Sequence, residues 1–90
     1  MKQLETLINL YRAKTNNAPI AKHVAAKLVA QGANIDKRGN VAFDVCADLD
    51  RLWYREFDRV CAINQLPIEG TPELWNILDQ SLDNSTLAGV

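Results

Sequence analysis

Two cysteines, one histidine and nine carboxylates in the second half of the chain are the residues with the means to do chemistry. Cys46 and Cys61 stand fifteen apart with no CxxC and no second ligand pair. Both fall on one predicted helix, where that separation is ~22 Å along the axis, too far for a disulfide. They read as small apolar core residues in a reducing compartment, with Cys46 the alternative as a reactive thiol whose pKa a helix first turn would lower. His23 needs an orienting carboxylate or a nucleophile to act as an acid–base group. Its helical neighbours Pro19, Ile20, Ala26 and Lys27 offer neither, so it reads as a surface or helix-edge histidine. One histidine and two separated cysteines do not make a tetrahedral metal set, and no cofactor is expected.

The acidic residues Asp44, Asp48, Asp50, Glu56 and Asp58 alternate with Arg51, Arg55 and Arg59 at helical spacing. The pairs Asp48–Arg51, Glu56–Arg59 and Arg55–Asp58 then make a solvated face of ion pairs worth ~0.2–0.5 kcal/mol each. The segment Asp36-Lys37-Arg38-Gly39-Asn40 lacks the alternating oxygens and terminal glutamate of a calcium loop, and its cations would repel the ion. With no Gly-rich loop, GxSxG or HExxH in the chain, the expectation is a non-enzymatic protein.

Charge is divided along the chain. Residues 1–43 carry seven Lys/Arg against two Asp/Glu, and residues 44–90 carry three against nine. A total of −1 thus conceals a basic half and an acidic half, which points to a polar partner or to self-association of one half with the other. Arg12, Lys14, Lys22, Lys27, Lys37 and Arg38 form a candidate phosphate-contacting face. Base readout, however, asks for Arg, Asn or Gln at the start of an exposed helix, and the second helix begins Ala18-Pro19-Ile20-Ala21. Acidity left over after the internal pairs resides at Asp44, Asp50, Glu69, Glu73, Asp79 and Asp83.

Aromatic residues supply the second candidate surface. Trp53 and Tyr54 are consecutive on a helix and point about 100° apart, so one of them belongs at an edge. The same holds for Leu74-Trp75. Trp and Tyr are favoured interface anchors, and with Arg55, Glu56, Glu73 and Asp79 as a rim, Trp53, Tyr54 and Trp75 form a candidate docking patch for a partner protein.

The elements that position these residues follow from periodicity. Leu4, Leu7, Ile8 and Tyr11 predict a helix from about Lys2 to Lys14. Asn17 or Ala18 caps a second, with Pro19 in its first turn, Ile20, Val24 and Leu28 as its stripe and Gly32 as its stop. Ile35 and the alternating Val41, Phe43 and Val45 predict a β-hairpin around Asp36–Gly39. Cys46, Leu49, Trp53, Phe57, Val60 and Cys61 predict a long third helix from about Val45 to Asn64. Thr71 caps a fourth, with Pro72 first and Leu74, Ile77, Leu78 and Leu82 buried.

The expected fold is therefore mainly α (α+β), a small four-helix bundle with a short hairpin between helices two and three, in the order α-α-β-β-α-α. Ninety residues make one domain, compact over 1–84, with 85–90 expected to fray. No apolar run approaches the ~18 residues of a membrane span, and the amino terminus does not read as a secretory signal. The sequence thus leads to a cytoplasmic, non-enzymatic protein-binding module, a regulator or inhibitor docking through its third and fourth helices. The alternative is a nucleic-acid-binding regulator using the basic face.

Overall fold

The computed structural model describes residues 1–16, 18–32 and 46–88, with side chains described up to 83 and from 49 in the last segment. These residues form four helices: α1 (Glu5–Asn16), α2 (Lys22–Ala30), α3 (Cys46–Ile63) and α4 (Pro72–Ala88). No strand occurs among the described residues, so the α+β class expected from the sequence is corrected to four helices. The predicted hairpin itself, on Ile35 and Val41–Val45, lies outside the described residues. An alternation only five residues long does not separate a strand from other short apolar runs. Among the described residues the core is built chiefly by the helices.

α1 is the central element and packs against α2, α3 and α4. Its apolar stripe delivers Leu7, Leu10 and Ala13 to the interior, where they meet Val24, Ala25 and Leu28 of α2, Leu49, Leu52, Trp53, Phe57, Val60 and Cys61 of α3, and Leu74 and Leu78 of α4. Burying each large aliphatic side chain contributes about 1.5–3 kcal/mol. No helix of the described residues is long and apolar enough to cross a membrane.

Helix ends depart from the sequence reading where long-range hydrogen bonds decide them. α1 begins at Glu5, not Lys2, because the Lys2 backbone is held by the end of α3: its N–H donates to Asn64 Oδ1 at 2.7 Å and its carbonyl accepts from Asn64 Nδ2 at 3.0 Å. α2 begins at Lys22, with Ala21 as its N-cap. Pro19 and Ile20 precede the helix, Ile20 plugging the core. The Ala21 N–H is taken by Asn9 Oδ1 of α1 at 3.1 Å.

α3 ends in a Schellman arrangement: Leu66 N–H donates to the Cys61 carbonyl at 2.8 Å and Gln65 N–H to the Ala62 carbonyl at 3.3 Å, with Gln65 at φ +58°. The chain then turns through Pro67-Ile68-Glu69-Gly70, closed by Gly70 N–H to the Pro67 carbonyl at 2.8 Å. Thr71 caps α4 as its sequence position implies, Oγ1 accepting from Leu74 N–H at 3.2 Å.

Candidate functional site

The aromatic residues converge where α1, α3 and the α3–α4 turn meet. Tyr11, Trp53, Phe57 and Trp75 form one cluster with ring centroids 5.3–6.2 Å apart, in the tilted and edge-on arrangements that ring quadrupoles prefer. Trp53 is 5 % exposed and belongs to the core. Tyr54, one residue on, is 63 % exposed, and Trp75 is 37 % exposed, so the 100° helical offset resolves in favour of Tyr54 and Trp75 as the accessible rings.

These rings wall a groove of about 700 Å³. Its apolar lining includes Tyr11, Trp53, Phe57 and Ile68, and its charged residues are Lys14, Asp58 and Glu69. Two hydrogen bonds fix the walls. Trp75 Nε1–H donates to the Glu69 carbonyl at 3.1 Å, and the Tyr11 hydroxyl donates to Asp79 Oδ1 at 2.7 Å. The second bond holds the Tyr11 pKa above its ordinary value, since ionisation would lose the donor beside a carboxylate.

Lys14 closes one side. Its Nζ lies 5.7 Å from the Trp53 ring centroid and 5.4 Å from that of Tyr54, and it pairs with Asp50 at 2.8 Å. An ammonium thus rests against one indole and one phenol ring and on one carboxylate. Gly70 lets the groove form: its φ is +77°, and a Cβ there would sit 2.8 Å from Phe57 Cζ and 3.3 Å from Trp75 Nε1.

Of the rim residues expected from the sequence, Asp79 is exposed and bonded to Tyr11, and Arg55 and Glu73 are exposed but do not line the groove. Glu56 is elsewhere: it is 4 % exposed and lies on the opposite side of α3 from Tyr54. There its carboxylate accepts from Arg59 Nε at 3.0 Å and from Arg59 Nη2, while Arg59 Nη1 donates to Gln3 Oε1 at 2.7 Å. The Glu56–Arg59 pair read from spacing exists, but it is half-buried rather than solvated. Its hydrogen bonds raise the Arg59 pKa against the opposing effect of burial.

A second, polar cleft of about 560 Å³ lies on that side, lined by Gln3, Glu5, Thr6, Lys27, Glu56 and Arg59 among others. Beside it His23 Nε2 meets Glu5 of α1, a carboxylate partner that its own helix does not supply and that helical spacing alone does not reveal. The bond and the charge of His23 hold the Glu5 carboxyl below its ordinary pKa, against a smaller desolvation effect. Both side chains are well exposed.

Lys14 is engaged at the aromatic groove, Lys22 and Lys27 are exposed on α2, and Arg12 is half-buried on α1. Lys37 and Arg38 lie outside the described residues. Cys61 is a buried free thiol whose pKa is raised by burial and by Asp58, which disfavours the reactive thiolate. Among the described residues no three His, Cys, Asp or Glu side chains converge as a metal site requires. Sequence reasoning missed Tyr11, Phe57, Ile68, Lys14, Asp58 and Glu69 as groove residues. The available signal was an isoleucine in a Pro/Gly turn, where an apolar side chain has no helix face to hide on. Comparison with protein-family models, with curated proteins and with solved structures finds no match to this chain.

Proposed function

We propose that this chain is a non-enzymatic, cytoplasmic protein-binding module, a regulator or inhibitor that docks a segment of a partner polypeptide in the groove between α1, α3 and the α3–α4 turn. One observation carries the reading. Six large apolar residues are exposed among the described residues, and three of them, Tyr54, Ile68 and Trp75, line this one groove. Scattered apolar residues on a surface need no explanation, whereas a concentrated set with preorganised aromatic anchors marks a contact surface. The buried free thiol of Cys61 suits a reducing compartment.

The test is site-specific photo-cross-linking in the native host. A photoreactive phenylalanine analogue placed at Tyr54 is expected to trap a protein in a nuclease-resistant adduct, and the same analogue at Lys22, on α2, is expected to trap none. Adducts only at Lys22, and lost on nuclease treatment, would replace this reading with the nucleic-acid one.

A further inference from the structure

The groove's charge identifies the chemistry of its occupant. Three charged side chains line it, and the single cation, Lys14, is already neutralised by Asp50 at 2.8 Å. That leaves Asp58 and Glu69, both exposed, and among the described residues neither carboxylate is in an ion pair. The unpaired charge among the groove's residues is therefore negative, and the groove also holds the exposed rings of Tyr54 and Trp75.

Lys14 shows what such a wall accepts. Its ammonium lies over the Trp53 and Tyr54 rings with a carboxylate behind it, and Trp75, Asp58 and Glu69 line the same groove. Trp75 is held for this by its bond to the Glu69 carbonyl, so its indole pays little ordering entropy on contact. Electron-rich rings combined with anions favour an ammonium or guanidinium over a neutral or acidic group.

We propose that the groove takes a basic partner segment: an arginine or lysine side chain laid against Trp75 and Tyr54 and paired with Asp58 and Glu69, its flanking apolar residues resting on Ile68 and Phe57. This rests on the docking reading above and adds the partner's chemistry to it.

The two tryptophan indole signals in a ¹⁵N spectrum of the full chain, assigned with Trp75→Phe, read the groove directly. Three short blocked peptides of alternating leucine with arginine, glutamine or glutamate are the probes, used at low salt. The arginine peptide is expected to move the Trp75 indole with an affinity at least about tenfold above that of the glutamine peptide. The advantage should disappear in Asp58→Asn/Glu69→Gln, a pair of exposed positions whose variant keeps the native far-UV circular dichroism. Equal binding of the glutamine peptide, unaffected by the double substitution, would overturn the cationic proposal and leave the docking surface standing. Preference for the glutamate peptide, or no movement with any peptide, would also overturn it, while the Tyr54 cross-link decides the docking reading separately. Movement of the indole on raising protein concentration alone would assign the groove to a second copy and overturn it as well.

Discussion

At position 70 the backbone and the packing of Phe57 make the same demand. A φ of +77° costs an ordinary residue about 1–2 kcal/mol, and a Cβ 2.8 Å from Phe57 Cζ must displace the ring. Gly70→Ala is expected to destabilise by about 2–4 kcal/mol in urea unfolding and to alter tryptophan emission in the native state, because Trp75 lies against the same spot. Glu56 presents a different residue-scale problem, a carboxylate 4 % exposed whose charge is met by Arg59. Removing one partner of such a pair is costly, whereas replacing both with apolar groups of similar volume is not. Arg59→Met should therefore cost about 2–4 kcal/mol and Glu56→Met/Arg59→Met appreciably less, a non-additivity that a double-mutant cycle reads. Glu5 gives a pH signature. Its folded pKa is lowered, first by the His23 hydrogen bond, so its contribution is present above the unfolded carboxylate value and is lost as pH falls through the lowered folded value. Glu5→Gln should flatten the acid limb of stability against pH below about pH 5. Of these pairs only Glu56–Arg59 is legible in the sequence, being one helical turn apart. Glu5 and His23 are eighteen residues apart, and only the packing of α2 on α1 brings them together.

At the scale of elements, the helices were legible because their apolar stripes repeat at 3.6 residues, and Leu49, Trp53, Phe57, Val60 and Cys61 on α3 and Leu74 and Leu78 on α4 are buried where that period puts them. Ends were less legible. Thr71 and Gly32 act locally and could be read, but the starts of α1 and α2 are decided by Asn64 and Asn9, whose hydrogen-bonding partners are distant in sequence. The accessible tryptophan could not be chosen from spacing alone either, since the groove at Trp75 depends on the turn at Gly70. That turn follows a helix stop with a defined weakness: Gln65 holds φ +58° in the left-handed position of the Schellman motif, where glycine is the usual occupant. Gln65→Gly should stabilise the protein by about 0.5–1 kcal/mol, because relief of the left-handed penalty exceeds the added backbone entropy of an unfolded glycine. Thr71→Ala should act in the opposite direction by about 1 kcal/mol through loss of the cap on α4. Thermal or urea midpoints of the two variants separate these signs.

The whole molecule is organised around α1, which supplies the surface that α2, α3 and α4 each cover. The same helix joins the two electrical halves of the chain. Lys14 of the basic half pairs with Asp50 of the acidic half, which neutralises one charge of each half across the fold, while Tyr11 hydrogen-bonds Asp79 and Asn9 ties α1 to the start of α2. A centrally placed helix has a thermodynamic consequence. Leu10 is fully buried within the shared core, and its truncation removes contacts from that core as a whole. Leu10→Ala should cost about 2–5 kcal/mol, a large part of the 5–15 kcal/mol available to a domain of this kind. Because α2 carries no tryptophan while Trp53 and Trp75 report on α3 and α4, two probes divide the molecule: far-UV circular dichroism includes α2, and tryptophan emission does not. If α1 couples the helices into one unit, both probes give the same urea midpoint in the native protein and the same lowered midpoint in Leu10→Ala. An ellipticity loss that precedes the emission change would show instead that α2 detaches first, and that the polar cleft beside Glu5 and Lys27 opens independently of the aromatic groove.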